Sequence, residues 1–358
     1  MSLLPFSYHP ILINNNISKF LEDFLEEKEY DKIFILLDEN IYENCYAHFI
    51  QYSEKLLSAE LLEIESGEQN KNLDIVNSLW YALIENKATR NSLLINFGGG
   101  VISDMGGFLA ATFKRGIDFI NVPTTLLAQV DASIGGKTGV DLGPLKNQVG
   151  VFAFPQAVLI DSAFLKTLDE RQFNNGMAEI IKHAFICEKS SLYNHLKKEI
   201  FDDFIPEEVL RQAVEGKTNI IEKDPKEKNE RKKLNFGHTL GHALESWFLA
   251  KGKQNELLHG EAVAFGMIAE TFIAFKKGMI NQAYFSNIEN LVNLYFAPTL
   301  FKFKEVEEIL PYLFHDKKNN NDKILAVLPC GDFQVKIDCE ISIGEAKEAF
   351  AYYISKIA

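Results

Sequence analysis

Short apolar runs that stop abruptly at Asp, Gly or Pro, spaced by stretches long enough for a helix, recur through the first half of the chain. Lys32-Ile33-Phe34-Ile35-Leu36-Leu37-Asp38 is nearly continuously apolar, the pattern of a strand covered on both faces rather than one. Ser92 to Phe97, which runs straight into Gly98-Gly99-Gly100, Asp118 to Val122, which stops at Pro123, and Ala157 to Asp161 repeat it. Such strands alternating with helical segments predict an α/β domain with parallel strands. After about Leu168 the pattern changes. Gly176 to Cys187, Phe201 to Glu222, Gly237 to Leu249 and Gly260 to Lys276 carry apolar residues at helical spacing. A β signal returns only in Ile324 to Leu328, read as a minor strand or a small hairpin with Phe333 to Ile337. Two domains are therefore expected, 1–168 and 169–358, and 358 residues are enough for both.

The formal charge of −13 argues against a nucleic-acid binder, which needs excess Lys and Arg to neutralise phosphates. An acidic protein can still take a phosphorylated ligand if its cations are concentrated, and the motif regions contain Arg115, Lys137, Lys146, Lys182, Lys217 and Arg231. The four cysteines, Cys45, Cys187, Cys330 and Cys339, show no C-x-x-C spacing, which suits a reduced cytoplasmic protein. No basic segment followed by an apolar one opens the chain, and no apolar run is long enough for a bilayer, so neither secretion nor membrane insertion is expected.

Gly98-Gly99-Gly100-Val101-Ile102-Ser103-Asp104 places glycines between a strand and a helix. There the backbone can approach a pyrophosphate and the first-turn amides can donate to it. It departs from G-x-G-x-x-G, so the domain is Rossmann-like and nucleotide-binding without the standard fingerprint. Asp38 suits a ribose hydroxyl pair, and Asn40, Ser66 to Lys71 and Thr124-Thr125 stand at strand ends or turns that could face one crevice. Asp131 through Gly135-Gly136-Lys137-Thr138 resembles part of a P-loop but lacks its first glycine. Presenting a carboxylate and a lysine to a polyhydroxylated ligand is the better use, with Lys146-Asn147 adding donors.

In the second half Glu179, His238, His242 and His259 offer one carboxylate and imidazoles to a divalent metal, with Lys182 and Asn235 beside them. Three protein ligands would leave a position open, as in catalytic zinc sites. His238 and His242 are i and i+4 on one face, and spacing does not say which ligates. Glu245 and Glu261 are competing carboxylates, Glu261 being placed to cap a helix. His183, His195 and His315 receive no role.

In order along the chain, these motifs resemble the 3-dehydroquinate synthases, the shikimate-pathway members of the sugar phosphate cyclases. The shared motifs are Gly98-Gly99-Gly100-Val101 with Asp104, Arg115-Gly116, Val122 to Asp131, Gly135 to Thr138, Lys146-Asn147, Ala178-Glu179 through Lys182, Leu234 to His242 and His259-Gly260-Glu261, within Asp38 to Lys318. The resemblance implies that Glu179, His238 and His259 bind Zn2+, or alternatively Co2+, and that His242 is a substrate or proton-transfer residue. It implies NAD contacts from Asp38, Asn40, Glu68, Lys71, Gly100, Val101, Ile102, Ser103, Asp104, Thr124, Thr125 and the Phe164 to Thr167 stretch, with Lys137 and Lys146 adjoining the cofactor. Substrate contacts would come from Arg115, Asp131, Lys137, Lys146, Asn147, Lys182, Lys217, Arg231, Asn235, His242 and Lys318. Glu227, His242, Lys182 and Arg231 would be catalytic, and Arg115 would reach a phosphate across a homodimer interface.

The implied reaction takes 3-deoxy-D-arabino-heptulosonate 7-phosphate to 3-dehydroquinate and phosphate, a step toward chorismate and the aromatic amino acids, by transient oxidation, β-elimination, re-reduction and aldol closure. Leu142-Gly143-Pro144-Leu145 departs from the His-Pro-Leu-Gly common before Lys-Asn, so the turn before Lys146 must differ. Other sugar phosphate cyclases, metal-dependent polyol dehydrogenases and a non-catalytic NAD-binding protein are the alternatives. The dehydrogenases do not require the concentrated lysines.

Overall fold

The apolar runs of the first half become strands because both faces of their sheet are covered. The computed structural model describes residues 3–4, 6–143, 145–187, 190–201, 204–252, 257–314 and 323–356; Lys317, Lys318 and His315 lie outside them. Contacts divide the chain into two units, Met1–Phe173 with Asp203–Thr218, and Asn174–Asp202 with Asn219–Ala358. The expected division stood at Leu168.

In the first unit the strands are β1 (Leu3–Leu4), β2 (Ile11–Ile13), β3 (Lys32–Asp38), β4 (Glu60–Ile64), β5 (Ser92–Gly98), β6 (Asp118–Pro123), β7 (Lys137–Leu142), β8 (Leu145–Phe152) and β9 (Val158–Ile160). Seven form one sheet in the order β1-β2-β9-β6-β5-β3-β4, parallel except for β1 against β2. Every residue of β5 is buried, and Ile95 pairs with both Ile35 and Ile120. Side chains alternate between faces. Phe34, Leu36 and Leu94 pack with Val76, Met105 and Leu109 on one side, whereas Ile35, Leu37, Ile95 and Phe97 pack with Leu21 and Phe49 on the other.

β4 is an edge strand the sequence pattern did not reveal, and β7 and β8 form an antiparallel hairpin where a Gly-Gly-Lys-Thr loop was expected. From β3 the chain steps outward to β4 and then returns to β5 on the other side of β3. That reversal is a topological switch point, outside whose carboxyl ends ligands bind in open α/β sheets. Those ends are Asp38 and Gly98.

The second unit is mostly helical, with helices His238–Ala250, His259–Lys276, Gln282–Tyr295 and Ile343–Ser355. Helix Glu170–Ile186 enters it from the first unit. The expected hairpin is present as the antiparallel pair Ile324–Gly331 and Gln334–Ile341. The helix expected from Phe201 starts only at Glu207. Pro206 precedes it, a residue that suits a helix start and not its interior.

His9, just before β2, gives the first unit a pH dependence. It is 4% exposed, packs edge-on to Phe6 and lies near Phe154, and its Nδ1 donates to the Pro10 carbonyl at 3.3 Å. Burial lowers its pKa to about 4, and the Pro10 bond offsets this only in part. The unfolded chain takes the proton first, from about pH 6.5, so stability falls as pH drops from there to about 4 and is flat below. The loss sums to roughly 3 kcal/mol at 1.36 kcal/mol per pKa unit. Urea midpoints of wild type and His9→Leu between pH 7 and 4 check this: the variant should lose about that much less.

Candidate active site

At the switch point, Asp38 Oδ1 accepts from Ile41 N at 3.0 Å, capping a short turn. β5 ends at Gly98, and helix Gly100–Thr112 follows with Gly99 at its N-cap, so no side chain closes its first turn. Gly100, Val101 and Ile102 thus present main-chain amides at the positive end of the helix. Thr124 N donates to Gly98 O at 3.1 Å, and Thr125 Oγ1 accepts from Ala128 N at 3.2 Å, which holds the β6 end beside the β5 end. Asn40 is exposed.

Three expected cofactor residues, Phe164, Thr167 and Lys71, make contacts within the fold. Phe164 is 2% exposed and packs edge-on to Phe97 in the core, and Thr167 Oγ1 donates to the Phe164 carbonyl. Any contact by Phe164 with a nucleotide must therefore use its backbone. Lys71 is buried, with Nζ 2.6 Å from Asp104 Oδ2 and 2.7 Å from Asn147 Oδ1. Glu68 joins at 3.9 Å, and Lys146 lies 3.6 Å from Glu68. Burial alone would lower the Lys71 pKa, but Asp104 and Glu68 hold it above its ordinary value.

Residues assigned to nucleotide and substrate thus form one network, with Lys71 organising Asp104 and Asn147. Lys71→Met should destabilise the protein by about 3 kcal/mol, the low end for breaking a buried pair, because Asp104 keeps 21% of its side-chain surface. Denaturant titration of that variant checks it.

Asp131 and Lys217 likewise meet within the first unit, Lys217 Nζ donating to Asp131 O at 2.5 Å and to Oδ1 at 2.6 Å. Lys137 is exposed at the start of β7. Arg115 is exposed on a turn where Lys114, Arg115 and Gly116 all have positive φ, a conformation costly for the first two.

In the second unit, close backbone packing brings the metal candidates together. Gly237 has φ +81, and a Cβ on Gly266 would fall inside the Gly237 carbonyl, so helices His238–Ala250 and His259–Lys276 touch main chain to main chain. With glycine at the N-cap, the first of these helices is capped by the fully buried Glu270 of the second, which accepts from Gly237 N at 2.6 Å and Leu240 N at 3.1 Å. Asn175 Oδ1 accepts from Gly260 N at 2.5 Å, tying helix Glu170–Ile186 to the start of the His259 helix. Glu261 accepts from Leu258 N at 2.8 Å and caps its own helix, the use its position suggested.

Donor atoms of His238, His242 and His259 consequently lie within 4.8 Å of one another. Glu179, fully buried, divides its oxygens. Oε1 stands 3.7 Å from His238 Nε2 and 3.8 Å from His259 Nε2, while Oε2 pairs with the buried Lys182. Glu179 Oε1 thus faces His238 and His259, while His242 stays within the same imidazole cluster. One carboxylate oxygen and neutral imidazole nitrogens are the donor set of catalytic zinc, so these residues fit a divalent ion. Burial, then the charges of Lys182, His242 and His259, push the His238 pKa well below its ordinary value and keep the ring neutral, as a ligand must be.

Also in the second unit, Asn235 Nδ2 donates to Glu227 Oε1 at 2.8 Å, and Arg231, 2% exposed, donates from Nη1 to Pro225 O at 2.7 Å. Glu227 sits on a turn and Arg231 in the short helix Glu230–Asn235 that follows it, both held by Asp224, whose carboxylate accepts from the backbone of Lys228, Asn229 and Arg231 at 3.0, 2.6 and 3.2 Å. Sequence reasoning missed Asp224, although an aspartate before proline at a helix end is a turn signal. It also missed His183, whose Nε2 lies 3.9 Å from Glu179 Oε2 one helical turn away.

A family model described as 3-dehydroquinate synthase N-terminal matches residues 61–175, and one described as 3-dehydroquinate synthase C-terminal matches 176–319. The chain is 40% identical to a 3-dehydroquinate synthase of Parabacteroides distasonis over 97% of its own length and 98% of that protein's. It is 41% identical to one of Helicobacter pylori over 86% of its own length and 88% of that protein's. Among solved structures, 2-deoxy-scyllo-inosose synthase complexed with carbaglucose-6-phosphate, NAD+ and Co2+ superposes with a TM-score of 0.87 and 25% identity, covering 98% of this chain and 99% of that one.

Proposed function

Because the chain belongs to the 3-dehydroquinate synthase family, we propose that its residues divide the work of that reaction between a nucleotide-binding first unit and a metal-binding second unit. The enzyme is an NAD- and metal-dependent lyase that converts 3-deoxy-D-arabino-heptulosonate 7-phosphate to 3-dehydroquinate and phosphate. The observation that carries the metal assignment is Glu179 Oε1 facing two imidazole Nε2 atoms while Lys182 holds Oε2. When bound, NAD takes up and returns a hydride, and the metal supplies Lewis acidity to the substrate oxygen.

In the first unit, the Gly100 to Asp104 turn, Asp38 and Thr124-Thr125 bind the dinucleotide, with Lys71 positioning Asp104 and Asn147. Asp131, Lys137, Lys146, Asn147 and Lys217 are its polyol- and anion-binding groups. Arg115, exposed on its left-handed turn, is assigned to phosphate across a homodimer interface. In the second unit, Glu179, His238 and His259 hold the metal, and Lys182, Arg231 and Asn235 orient the anionic substrate. Glu227, kept in place by Asn235, and His242 hold or move protons. The leaving phosphate can itself take the proton in elimination, in which case no side chain is that base. A cytoplasmic setting is part of the same reading; among the described residues no helix is long and apolar enough to cross a membrane.

Purified protein, trace NAD and the heptulosonate phosphate test the reading. Phosphate should be released over many turnovers without accumulation of NADH, since the hydride returns within each cycle. A polyol dehydrogenase would build up one reduced nicotinamide per alcohol oxidised and release no phosphate, and that result would overturn the assignment.

A further inference from the structure

His238 and His259 each turn one ring nitrogen toward Glu179 and the other away. His238 Nε2 faces Glu179 Oε1, and its Nδ1 lies 3.1 Å from the Phe236 carbonyl. A carbonyl can only accept, so Nδ1 carries the proton and Nε2 keeps its lone pair. His259 repeats the arrangement with a different outer acceptor: Nε2 faces the same Glu179 oxygen at 3.8 Å, and Nδ1 stands 3.5 Å from Glu245 Oε2. Glu245 is 5% exposed, and a carboxylate at that depth is costly unless it is hydrogen-bonded or paired.

Glu245 belongs to the helix that begins at His238, two turns further along, whereas His259 opens the helix packed against it. The glycine contact between these helices sets the separation of carboxylate and imidazole, so the pairing is built into the packing.

We propose that Glu245 is a positioning residue for His259: its carboxylate faces Nδ1, favours the tautomer with the proton there, and so leaves Nε2 as the metal-binding nitrogen. Imidazole ligands commonly hand their second N–H to a carboxylate or backbone carbonyl, which sets the tautomer and raises ligand basicity. Here His259 takes the carboxylate and His238 the carbonyl. The 3.5 Å separation exceeds a strong N–H···O bond, so attraction between the carboxylate and the ring N–H does the orienting. Because the two nitrogens of one ring point in divergent directions, Glu245 stands on the far side of His259 from the ligand position and is not itself a ligand. The inference rests on the ligand assignment made above.

The test compares wild type, Glu245→Gln, Glu245→Ala and His259→Ala, stripped of metal and reloaded. Zinc affinity is read by chelator competition, the Co2+ form by visible absorption, and the metal-free fold by thermal midpoint. Glu245→Ala should weaken zinc roughly 10- to 100-fold, the range for loss of such an outer partner. Glu245→Gln should lose less, because its amide oxygen still accepts, and both should keep the wild-type type of Co2+ spectrum. Wild-type zinc affinity in Glu245→Ala beside zinc loss in His259→Ala would overturn the proposal while leaving the ligand assignment standing. So would a lowered metal-free midpoint with unchanged affinity. Equal, complete zinc loss in both Glu245 variants, with an altered Co2+ spectrum, would make Glu245 a ligand and overturn it too. Retention of zinc by His259→Ala would remove the ligand assignment itself.

Discussion

Glu179→Gln protein is expected to purify with well under one equivalent of zinc and to turn over roughly 10³-fold more slowly than wild type. Lewis-acid stabilisation of developing charge is worth several kcal/mol, and each 1.36 kcal/mol is tenfold in rate. Glu179 Oε1 stands 3.7 Å from His238 Nε2 and 3.8 Å from His259 Nε2, and it brings the negative charge a dication favours. The substitution also strips the buried Lys182 of its charged partner, so some stability is lost as well. Metal analysis and a denaturation curve on the same preparation separate the effects. A stoichiometrically zinc-loaded Glu179→Gln would show that another group occupies the ligand position.

His242→Ala should behave oppositely with respect to the metal: full zinc occupancy, with turnover down about 10²-fold or more, the range for removing a general acid or base. His242 lies within the imidazole cluster, its ring centroid 5.0 Å from that of His238 and 5.7 Å from that of His259, yet the Glu179 oxygen closes on the other two rings. Zinc content measured beside single-turnover phosphate release distinguishes the roles. Loss of zinc in His242→Ala would mean that the ligating member of the pair had been misassigned.

Much of this architecture was legible in the chain because parallel strands are buried on both faces. Runs such as Lys32 to Asp38 and Ser92 to Phe97 therefore carry their own signature. The edge strand Glu60–Ile64 was not legible, since it is short, its burial alternates and glutamates interrupt its apolar residues. The hairpin Lys137–Phe152 was missed for a related reason: its strands are partly exposed and rich in glycine and polar residues, so they read as a ligand loop. Lys71 was assigned to the cofactor from its motif, and nothing in the motif indicates that its ammonium is spent on Asp104 and Asn147. Asp224 and Glu270 lay outside the recognised roles, and Glu245 was read only as a competing carboxylate, because each meets a backbone group or a ring whose proximity depends on the fold.

The sequence by itself determined the chemical inventory: glycines at a strand-to-helix turn, one carboxylate with several imidazoles, and cations concentrated in an acidic chain. It also determined the α/β-then-helical order, since periodicity is a property of neighbouring residues. Only the tertiary structure decided which of these groups meet. The return from β4 to β5 sets Asp38 beside Gly98, and the contact of Gly237 with Gly266 brings His238 and His259 to Glu179. Coordination and charge pairing act over a few ångströms of space, and separation along the chain does not specify that distance until the backbone has packed.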